Sequence, residues 1–343
     1  MTALTLIPDP TSTPRPAGAP LLVLKIDVDT YRGTREGVPN LVRMLTSHAA
    51  HASFLFSLGP DHTGWALRRA FRPGFFKKVS RTSVVEHYGV KTLMYGVLLP
   101  GPDIGRQCVN ELRAVAAAGF ECGIHTWDHV RWQDKVRTAS PSWTTRMMRC
   151  AEQRFNQVFG HPAATHGAAG WQMNAHAFAE HTAAGYAYAS DGRSLLRENG
   201  QLQDPAETPY RVQGRPCIQL PTTLPTLDEL LGRTIDGVLI TTENIAAHLL
   251  TLTAGATRDH VYTLHAELEG QKLAPIFEQL LTGWKAQGYQ LASMADYYQK
   301  VKDLPLPEYP VSWGEVPGRS GELIVPHLAS TASPSTSAAR QGE

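Results

Sequence analysis

Two carboxylates and two imidazoles that follow apolar segments are the side chains of this sequence best suited to hold a divalent cation. Asp27 and Asp29 lie at the end of the apolar run 21–28, and alternate residues of a strand share one face. His125 and His129 are four residues apart, which places both rings on one side of a helical turn. One carboxylate with two imidazoles leaves positions open for water and substrate, so we predict Asp29, His125 and His129 as metal ligands. A solvated aspartate pair at a strand-to-loop turn is the alternative for the carboxylates.

A cation of the zinc type at this position would polarise a substrate carbonyl and lower the pKa of bound water. Asp27, left outside the predicted ligand set, is then placed to accept a proton from that water. The predicted general acid is His265, which lies in the strand-like run 260–267 and would reach the same rim of the fold. Glu267 and Glu269 follow it and are candidates for supporting contacts to these groups or to the substrate.

Two loops carry further candidate residues. In the segment 165–171, small residues including Gly170 would let the backbone approach a ligand, and Trp171 could line a pocket wall. In a later loop, Asp191 could orient the acid and Arg193 could bind a phosphate group. An ordinary strand-to-helix loop is the alternative for both segments.

The elements that must position these residues follow a repeated pattern. Three helical stretches end in a glycine followed by an aromatic residue that opens a strand, at 118–120, 184–186 and 287–289. Because glycine adopts the left-handed conformation that ends a helix, this pattern predicts helices alternating with short strands. Such alternation is typical of an α/β fold with a parallel sheet or barrel and helices outside. In these folds catalytic groups lie at the carboxyl ends of the strands, where the aspartate and histidine pairs are placed.

The composition indicates a large folded unit with polar ends. The chain has 343 residues, 42% hydrophobic content and a net charge of +1, so a large core is expected and no overall field favours nucleic acid. We predict a flexible arm over 1–20, a catalytic domain over 21–300 and an extended, partly disordered tail over 301–343. The sequence shows no signal peptide and no membrane span, which predicts a cytoplasmic protein. It does not indicate an oligomeric state.

An insert over 65–91 has a composition unlike that of the rest of the chain. Basic residues dominate it, with Glu86 as its one acid, and they alternate with bulky apolar residues. This mixture is typical of a surface that rests on anionic lipid headgroups. A helical excursion whose aromatic residues pack on the main fold is the alternative, and nucleic-acid binding is a third interpretation. The residues predicted to dock on the membrane are Trp65, Arg68, Arg69, Phe75, Phe76, Lys77 and Lys78.

Together these motifs resemble the polysaccharide deacetylase superfamily, which has the NodB-homology fold. The resemblance rests on the Asp-x-Asp strand end, the His-Thr-x-x-His pair and the late Leu-His. The matching strings lie at 26–39, 125–133, 167–171, 220–226 and 261–267. It implies a distorted (β/α) barrel that holds one divalent metal ion, with zinc favoured and cobalt, manganese or nickel as the alternatives.

Within this superfamily the strings are most similar to members that act on a lipid-linked sugar. The resemblance implies hydrolysis of the formyl group of 4-deoxy-4-formamido-L-arabinose carried on undecaprenyl phosphate, at the cytoplasmic face of the bacterial inner membrane. The freed amine would later decorate lipid A and lower its attraction for cationic peptides such as polymyxin. Metal-dependent deacetylation of another amino sugar, and a binding barrel that has lost activity, are the alternatives.

The resemblance also implies residue roles. It makes Asp27 the base, His265 the acid and, as metal ligands, Asp29, His125 and His129. Asp191 is implied as the residue that tunes the acid. The chain departs from the wider superfamily because a valine separates the two aspartates and Gly-Ala-Ala-Gly-Trp stands in place of an Arg-x-Pro loop. Arg32 or Arg35 is then the hypothesised cation beside Asp27.

Overall fold

The structure, a computed structural model, describes residues 18–66, 90–203, 208–255 and 257–327. Helices and strands alternate through most of these ranges. The strands are β1 (Leu21–Val28), β2 (Ser53–Ser57), β3 (Glu121–Thr126), β4 (Thr165–His166), β5 (Tyr188–Ala189), β6 (Tyr210–Val212), β7 (Ile218–Gln219), β8 (Thr234–Ile235), β9 (Val238–Leu239), β10 (His260–His265), β11 (Gln290–Ala292), β12 (Glu308–Tyr309), β13 (Val311–Gly314) and β14 (Leu323–Pro326). The helices are α1 (Val38–Ser47), α2 (Val90–Met94), α3 (Ile104–Gln107), α4 (Val109–Ala117), α5 (His129–Lys135), α6 (Pro141–Phe159), α7 (Ala175–Ala184), α8 (Leu227–Leu230), α9 (Ile245–Leu252), α10 (Ala274–Ala286) and α11 (Met294–Val301).

A sheet of ten strands forms the centre of the fold, in the order β10-β1-β2-β3-β4-β5-β7-β6-β12 with β11 also paired to β1. Neighbouring strands from β10 to β7 run parallel. Just after β7, Thr223 N donates to Val261 O of β10 at 2.9 Å, and the hydroxyls of Thr222 and Thr263 lie 2.6 Å apart. The parallel part of the sheet therefore curls back on itself, and the predicted distorted (β/α) barrel is confirmed.

The burial pattern of β1 shows how the barrel separates its two layers. All eight residues of the strand are buried, because helices cover the outer face and side chains fill the interior. Leu24 and Ile26 point outward into the helix-covered core, whereas Val23 points into the barrel. Lys25 and Asp27 continue this inward-facing row. The interior therefore changes from apolar to charged toward the carboxyl end of β1, where the candidate site lies.

Residues 301–327 are folded onto the barrel, whereas an extended, partly disordered tail was predicted for 301–343. β12 pairs with β6 at the edge of the sheet, and β13 and β14 form an antiparallel hairpin. Leu323, Ile324 and Val325 of this hairpin are buried, and burial of apolar surface offsets the entropy lost on ordering the segment. The folded unit thus reaches residue 326. Positions 1–17 of the predicted arm and the chain from 328 onward lie outside the described residues.

Candidate active site

The predicted metal ligands converge at the carboxyl ends of β1 and β3. Asp29 follows β1, His125 lies in β3, and His129 is the first residue of α5. His125 Nε2 lies 3.2 Å from Asp29 Oδ1, and His129 Nε2 lies 3.3 Å from Asp29 Oδ2. Each carboxylate oxygen thus faces a different imidazole, and the three ligand atoms lie within 4.8 Å of one another.

The two histidines do not share a helical turn, so the predicted reason for their proximity was wrong. His125 belongs to the strand, whereas α5 begins only after Asp128, which caps it by accepting a hydrogen bond from Arg131 N at 3.1 Å. The short strand-to-helix connection places the ring of His129 5.3 Å from that of His125. Their closeness therefore depends on how a strand passes into a helix at the rim of the barrel.

The chemistry of this donor set fits a divalent cation. His125 Nδ1 lies 2.7 Å from Gly167 O, and because a carbonyl can only accept, Nδ1 carries the proton and Nε2 is left to face the ligand position. Asp29 Oδ1 is buried without a hydrogen-bond partner among the described residues. Burial alone would raise the pKa of Asp29, but the nearby His129 and His125 more than offset it and lower that pKa, which keeps the carboxylate ionised. A cation would complete this arrangement of a buried anion and two imidazoles.

Glu267 holds the loop that carries Asp29 through hydrogen bonds to its backbone. Its Oε1 accepts hydrogen bonds from Asp29 N at 3.1 Å, from Thr30 N at 2.8 Å and from the Thr30 hydroxyl at 2.8 Å. Burial, together with the negative charge of Asp29, raises the pKa of Glu267 well above its ordinary value and favours its protonated form. A neutral acid can fix this loop without adding negative charge beside the ligand set.

Asp27, the predicted base, is paired with a lysine that the sequence analysis missed. Lys25 Nζ lies 2.7 Å from Asp27 Oδ2, and both side chains are buried. Arg32 and Arg35 pair with other acids, so the hypothesis that one of them is the cation beside Asp27 was wrong. The sequence carried the signal, because residues two apart in a strand share a face. Asp27 Oδ1 has no hydrogen-bond partner among the described residues and is the oxygen left to take a proton.

Trp171 lies behind Lys25 and does not form the predicted wall of an open pocket. Its side chain is 1% exposed, its ring centroid lies 5.2 Å from Lys25 Nζ, and its Nε1 donates to the Thr222 hydroxyl at 3.0 Å. Arg193, the candidate phosphate ligand, stacks on the same ring and is buried in an ion pair with Glu229. Both residues thus belong to a layer that supports the site from below.

Gly170 allows a glutamine to approach the ligand set. Its φ is +62°, a conformation that favours glycine, and a Cβ there would come within 2.5 Å of Gln133 Nε2. Gln133 Nε2 itself lies 3.5 Å from His129 Nε2. Gln133 was not among the candidate residues predicted from the sequence, and its position four residues after His129 in α5 is the signal that could have revealed it.

His265, the predicted acid, ends β10 beside Asp27 of the paired strand β1. Its backbone N donates to Glu269 Oε2 at 2.9 Å, and Tyr262 OH donates to Glu269 Oε1 at 3.0 Å. Burial raises the pKa of Glu269 to about 7. His265 Nδ1 is buried and has no hydrogen-bond partner within the described ranges. Glu269 is therefore the carboxyl group that accompanies this histidine.

Asp191 does not accompany His265, so its implied role of tuning the acid was wrong. It follows β5, and its carboxylate accepts hydrogen bonds from His166 Nδ1 at 2.7 Å and from Gln219 Nε2 at 2.9 Å. His181 of α7 also lies beside it, with Nδ1 3.5 Å from Asp191 Oδ2. These partners keep the side chain away from the acid.

The predicted docking surface is described only at its first residue. Trp65 is half-buried, its ring stacks on that of His62 at 4.0 Å, and its Nε1 donates to Gly96 O at 2.6 Å. The other six residues predicted to dock lie outside the described residues: Arg68, Arg69, Phe75, Phe76, Lys77 and Lys78. In the four described ranges, no helix combines the length and the apolarity needed to cross a bilayer.

Two curated relatives align with nearly the whole chain, although no protein-family model matches it. A protein from Shewanella sediminis (strain HAW-EB3) is 34% identical over 301 residues, which are 88% of this chain and 92% of the relative. A protein from Wigglesworthia glossinidia brevipalpis is 28% identical over 294 residues, which are 84% of this chain and 96% of the relative. Both are named "Probable 4-deoxy-4-formamido-L-arabinose-phosphoundecaprenol deformylase ArnD".

Solved structures share the fold at low sequence identity. A protein from Mycobacterium smegmatis assigned as a polysaccharide deacetylase has a TM-score of 0.57 and 14% identity, covering 89% of this chain and 98% of its own. A GH57 branching enzyme from Thermococcus kodakaraensis has a TM-score of 0.52 and 10% identity, covering 85% of this chain and 72% of its own. At such identities the likeness concerns the fold alone.

Proposed function

Because the chain belongs to the family of 4-deoxy-4-formamido-L-arabinose-phosphoundecaprenol deformylases, we propose that it hydrolyses the formamide of such a sugar carried on undecaprenyl phosphate. Membership of this family makes the protein a hydrolase that acts on an amide bond. The products proposed here are formate and the free amino sugar, still attached to its lipid. The resemblance predicted from the sequence motifs is confirmed.

One observation carries the proposal: the candidate cation-binding set lies at the same rim of the barrel as a base and an acid that occupy paired positions on neighbouring strands. Asp29 and its two histidines lie at the end of β1 and β3. Asp27 precedes them in β1, and His265 occupies the paired position in β10. An amide hydrolase requires activation of a water, polarisation of the carbonyl and protonation of the departing nitrogen. The three groups supply these functions at one rim of the barrel.

The residues divide the reaction between them. A divalent cation held by Asp29 and the two histidines would supply Lewis acidity for the formyl oxygen and for water. Asp27 takes a proton from the water through Oδ1, because Lys25 holds Oδ2. The water oxygen adds to the formyl carbon, and the bond between this carbon and the sugar nitrogen then breaks. His265 gives a proton to that nitrogen, so the amine leaves as a neutral group and formate remains.

The proposed substrate places a further requirement on the protein. A sugar tied to a polyprenyl chain lies at a bilayer surface, so the barrel must approach that surface. We assign this task to the insert over 65–91, because its basic and aromatic residues suit an anionic interface. The cytoplasmic face of the bacterial inner membrane is the location that this assignment implies.

The proposed product suggests a biological consequence. Removing the formyl group converts a neutral amide into an amine that is protonated at neutral pH. Transfer of such a sugar to lipid A would add positive charge to the membrane surface and lower its attraction for polymyxin and similar cationic peptides. The protein would thus supply one step of lipid A modification.

The test is formate release from the formamido-arabinose undecaprenyl phosphate lipid by the purified full-length protein. We expect release by the protein as isolated, loss of release after treatment with a chelator, and recovery on addition of zinc, cobalt, manganese or nickel. Release of acetate from an N-acetylated analogue, without formate from the formamide, would assign a deacetylase instead. A folded, metal-loaded protein that releases neither acid would be a binding barrel.

A further inference from the structure

A second set of one carboxylate and two imidazoles lies on the helix-covered side of the sheet, away from the catalytic rim. His166 is in β4, His181 is in α7, and Asp191 follows β5. A Cβ on Gly167 would meet Lys25 and Leu55 inside the barrel, so the preceding residue, His166, points outward toward α7. All three side chains of the set are at most 3% exposed, and one ligand atom from each lies within 4.8 Å of the others.

The carboxylate of this set presents one oxygen to each histidine, as Asp29 does at the catalytic rim. Asp191 Oδ1 accepts a hydrogen bond from His166 Nδ1 at 2.7 Å, and Asp191 Oδ2 lies 3.5 Å from His181 Nδ1. Two further donors orient the carboxylate, Ala168 N at 3.0 Å from Oδ1 and Gln219 Nε2 at 2.9 Å from Oδ2. Hydrogen bonds of this kind hold metal-ligating carboxylates in place in known sites.

Within the set, His181 lacks hydrogen-bond partners in the part of the chain that the structure describes. Its side chain is 1% exposed, and neither ring nitrogen has a hydrogen-bond partner among the described residues. A neutral imidazole carries one donor and one acceptor, and leaving both unpaired in a dry interior is unfavourable. Its unprotonated nitrogen offers a lone pair to a ligand.

The charge of the set is also incomplete. Asp191 has zero exposure, so its carboxylate is held away from water. In the described part of the chain its ion-pair partners are these two histidines, with no lysine or arginine among them. Buried negative charge of this kind calls for a cation.

We infer that His166, His181 and Asp191 form a second site for a divalent cation of the zinc class, separate from the catalytic one. Two imidazoles and a carboxylate are ligands that zinc prefers, and ion binding would displace the proton shared by His166 and Asp191. Since the set is closed to solvent and joins α7 to two strands, the ion is structural. It stabilises the packing of α7 on the sheet and takes no part in hydrolysis.

The test is zinc binding by the full-length protein in which Asp29→Ala removes the catalytic ion. We expect wild type to retain two zinc ions per chain after dialysis against buffered zinc, and Asp29→Ala to retain one. Adding zinc to metal-free Asp29→Ala should also raise its thermal unfolding midpoint by several degrees, because a ligand that binds the native state stabilises it. Adding His181→Gln to Asp29→Ala should abolish both the retained ion and the shift.

The matched control is His176→Gln, which removes an exposed histidine from the same helix and should change neither readout. The inference is overturned if Asp29→Ala retains no zinc and shows no shift, a result that needs no substitution in α7. It is overturned equally if His176→Gln removes the second ion while His181→Gln does not, since the ion would then be bound at the surface. Formate release does not enter either criterion, so failure here leaves the proposed hydrolase untouched.

Discussion

At the scale of single residues, the surroundings of each buried acid decide what it can do. Asp29 is ionised because two histidines face it, and Asp27 is held by Lys25. Glu267 has a raised pKa because it is buried next to Asp29, and it stabilises the loop as a neutral group. Carboxyl groups close together can thus take the roles of ligand, base and support because their environments differ.

The clearest consequence concerns Asp27. Asp27→Asn removes the group proposed to take the proton of water but leaves the predicted ligand set intact, so formate release should fall by about 10² to 10⁴-fold. The catalytic ion should remain bound, as measured by metal content. Asp29→Ala is the comparison, because it should lose both activity and that ion. If Asp27→Asn releases formate at the wild-type rate, the base is another residue.

The ion pair between Lys25 and Asp27 predicts strong coupling in stability. Both groups are buried, so Lys25→Met leaves a carboxylate without a cation and should destabilise the fold by about 3 kcal/mol. In Lys25→Met/Asp27→Asn the stranded charge is gone, and much of this loss should be recovered. Urea unfolding of wild type, both single variants and the double variant measures the coupling. Additive effects would mean that the pair is not formed in solution.

Glu269 predicts a pH dependence of stability. Its pKa is about 7 in the folded protein against 4.5 for the ordinary group, so the folded state binds its proton more tightly than the unfolded state does. The stability that it contributes is therefore complete below pH 4.5 and is lost as the pH rises through 7. Relative to Glu269→Gln, wild type should lose up to about 3 kcal/mol over this window, because each pKa unit corresponds to about 1.4 kcal/mol.

Urea unfolding at several pH values measures this difference between wild type and Glu269→Gln. Glu198→Gln, at a side chain that is 87% exposed, is the control and should follow the wild-type curve. Parallel curves for wild type and Glu269→Gln would show that Glu269 does not titrate in this range.

At the scale of elements, a π-helical turn over Gly33–Gly37 sets how closely two loops of the site approach each other. The turn precedes α1 and packs on the segment after β10. A Cβ on Gly33 would lie 1.9 Å from Glu267 Oε1, and one on Gly37 would lie 2.0 Å from Ala266 O. The two glycines thus allow Glu267 to sit behind Asp29. π-Helical turns are rare in proteins, and those that occur are often found at functional sites.

Gly37→Ala should therefore disturb the site without touching a reacting group. The new methyl group meets backbone, which cannot move aside as a flexible side chain can, so the segment carrying His265 must shift. We expect kcat to fall by roughly tenfold or more, since small displacements of catalytic groups are costly, and stability to fall by about 1 to 3 kcal/mol.

Gly119→Ala is the matched control for Gly37→Ala. Nothing lies within 4 Å of a Cβ at Gly119, but its φ of +85° makes the substitution strained. It should lower the unfolding midpoint while leaving kcat unchanged. Wild-type kcat in Gly37→Ala would show that the close approach of the two loops does not position the site.

At the scale of the whole molecule, the proposed substrate requires the barrel to present a buried polar site to a sugar anchored in a membrane. The insert over 65–91 follows β2 in the chain, and β2 ends at Ser57. Because β2 is parallel to β1 and β3, the chain leaves β2 toward the insert at the rim that holds the ligand set. Docking through this insert would bring the sugar to the rim while the lipid chain stays in the bilayer. The proposed substrate and the proposed docking surface therefore depend on each other.

Vesicle binding tests the insert directly. Replacing Lys77, Lys78 and Arg81 with glutamine should weaken association with vesicles containing anionic lipid by roughly 100-fold, because each basic residue near the surface contributes about 1 kcal/mol. The effect should shrink at high salt. Replacing Arg106, Arg146 and Arg149, which are exposed elsewhere on the barrel, removes the same charge and should have little effect. Equal losses in the two variants would show that only net charge matters.

The sequence by itself determined the kind of fold and most of the residues that meet at the candidate site. Apolar runs ending in Asp27, Asp29 and His265 identify strands whose carboxyl ends must share a rim, because parallel strands point their ends the same way. Alternation along the strand also places Lys25 on the same face as Asp27, although the sequence analysis did not predict the ion pair between them. These are local properties, readable from spacing within a single element.

Only the tertiary structure decided which residues from distant segments become neighbours. Asp191 lies beside His166 and His181 because α7 packs against the outer side of β4 and β5, and spacing within one element cannot show such a contact. The hairpin of β13 and β14 lies in the segment predicted to be an extended, partly disordered tail, yet its apolar residues Leu323, Ile324 and Val325 are buried. The strand to which a side chain belongs decides which face of the sheet that side chain occupies. Sheet order and helix packing decide which other side chains it meets there, because they minimise the exposed apolar area of the whole chain.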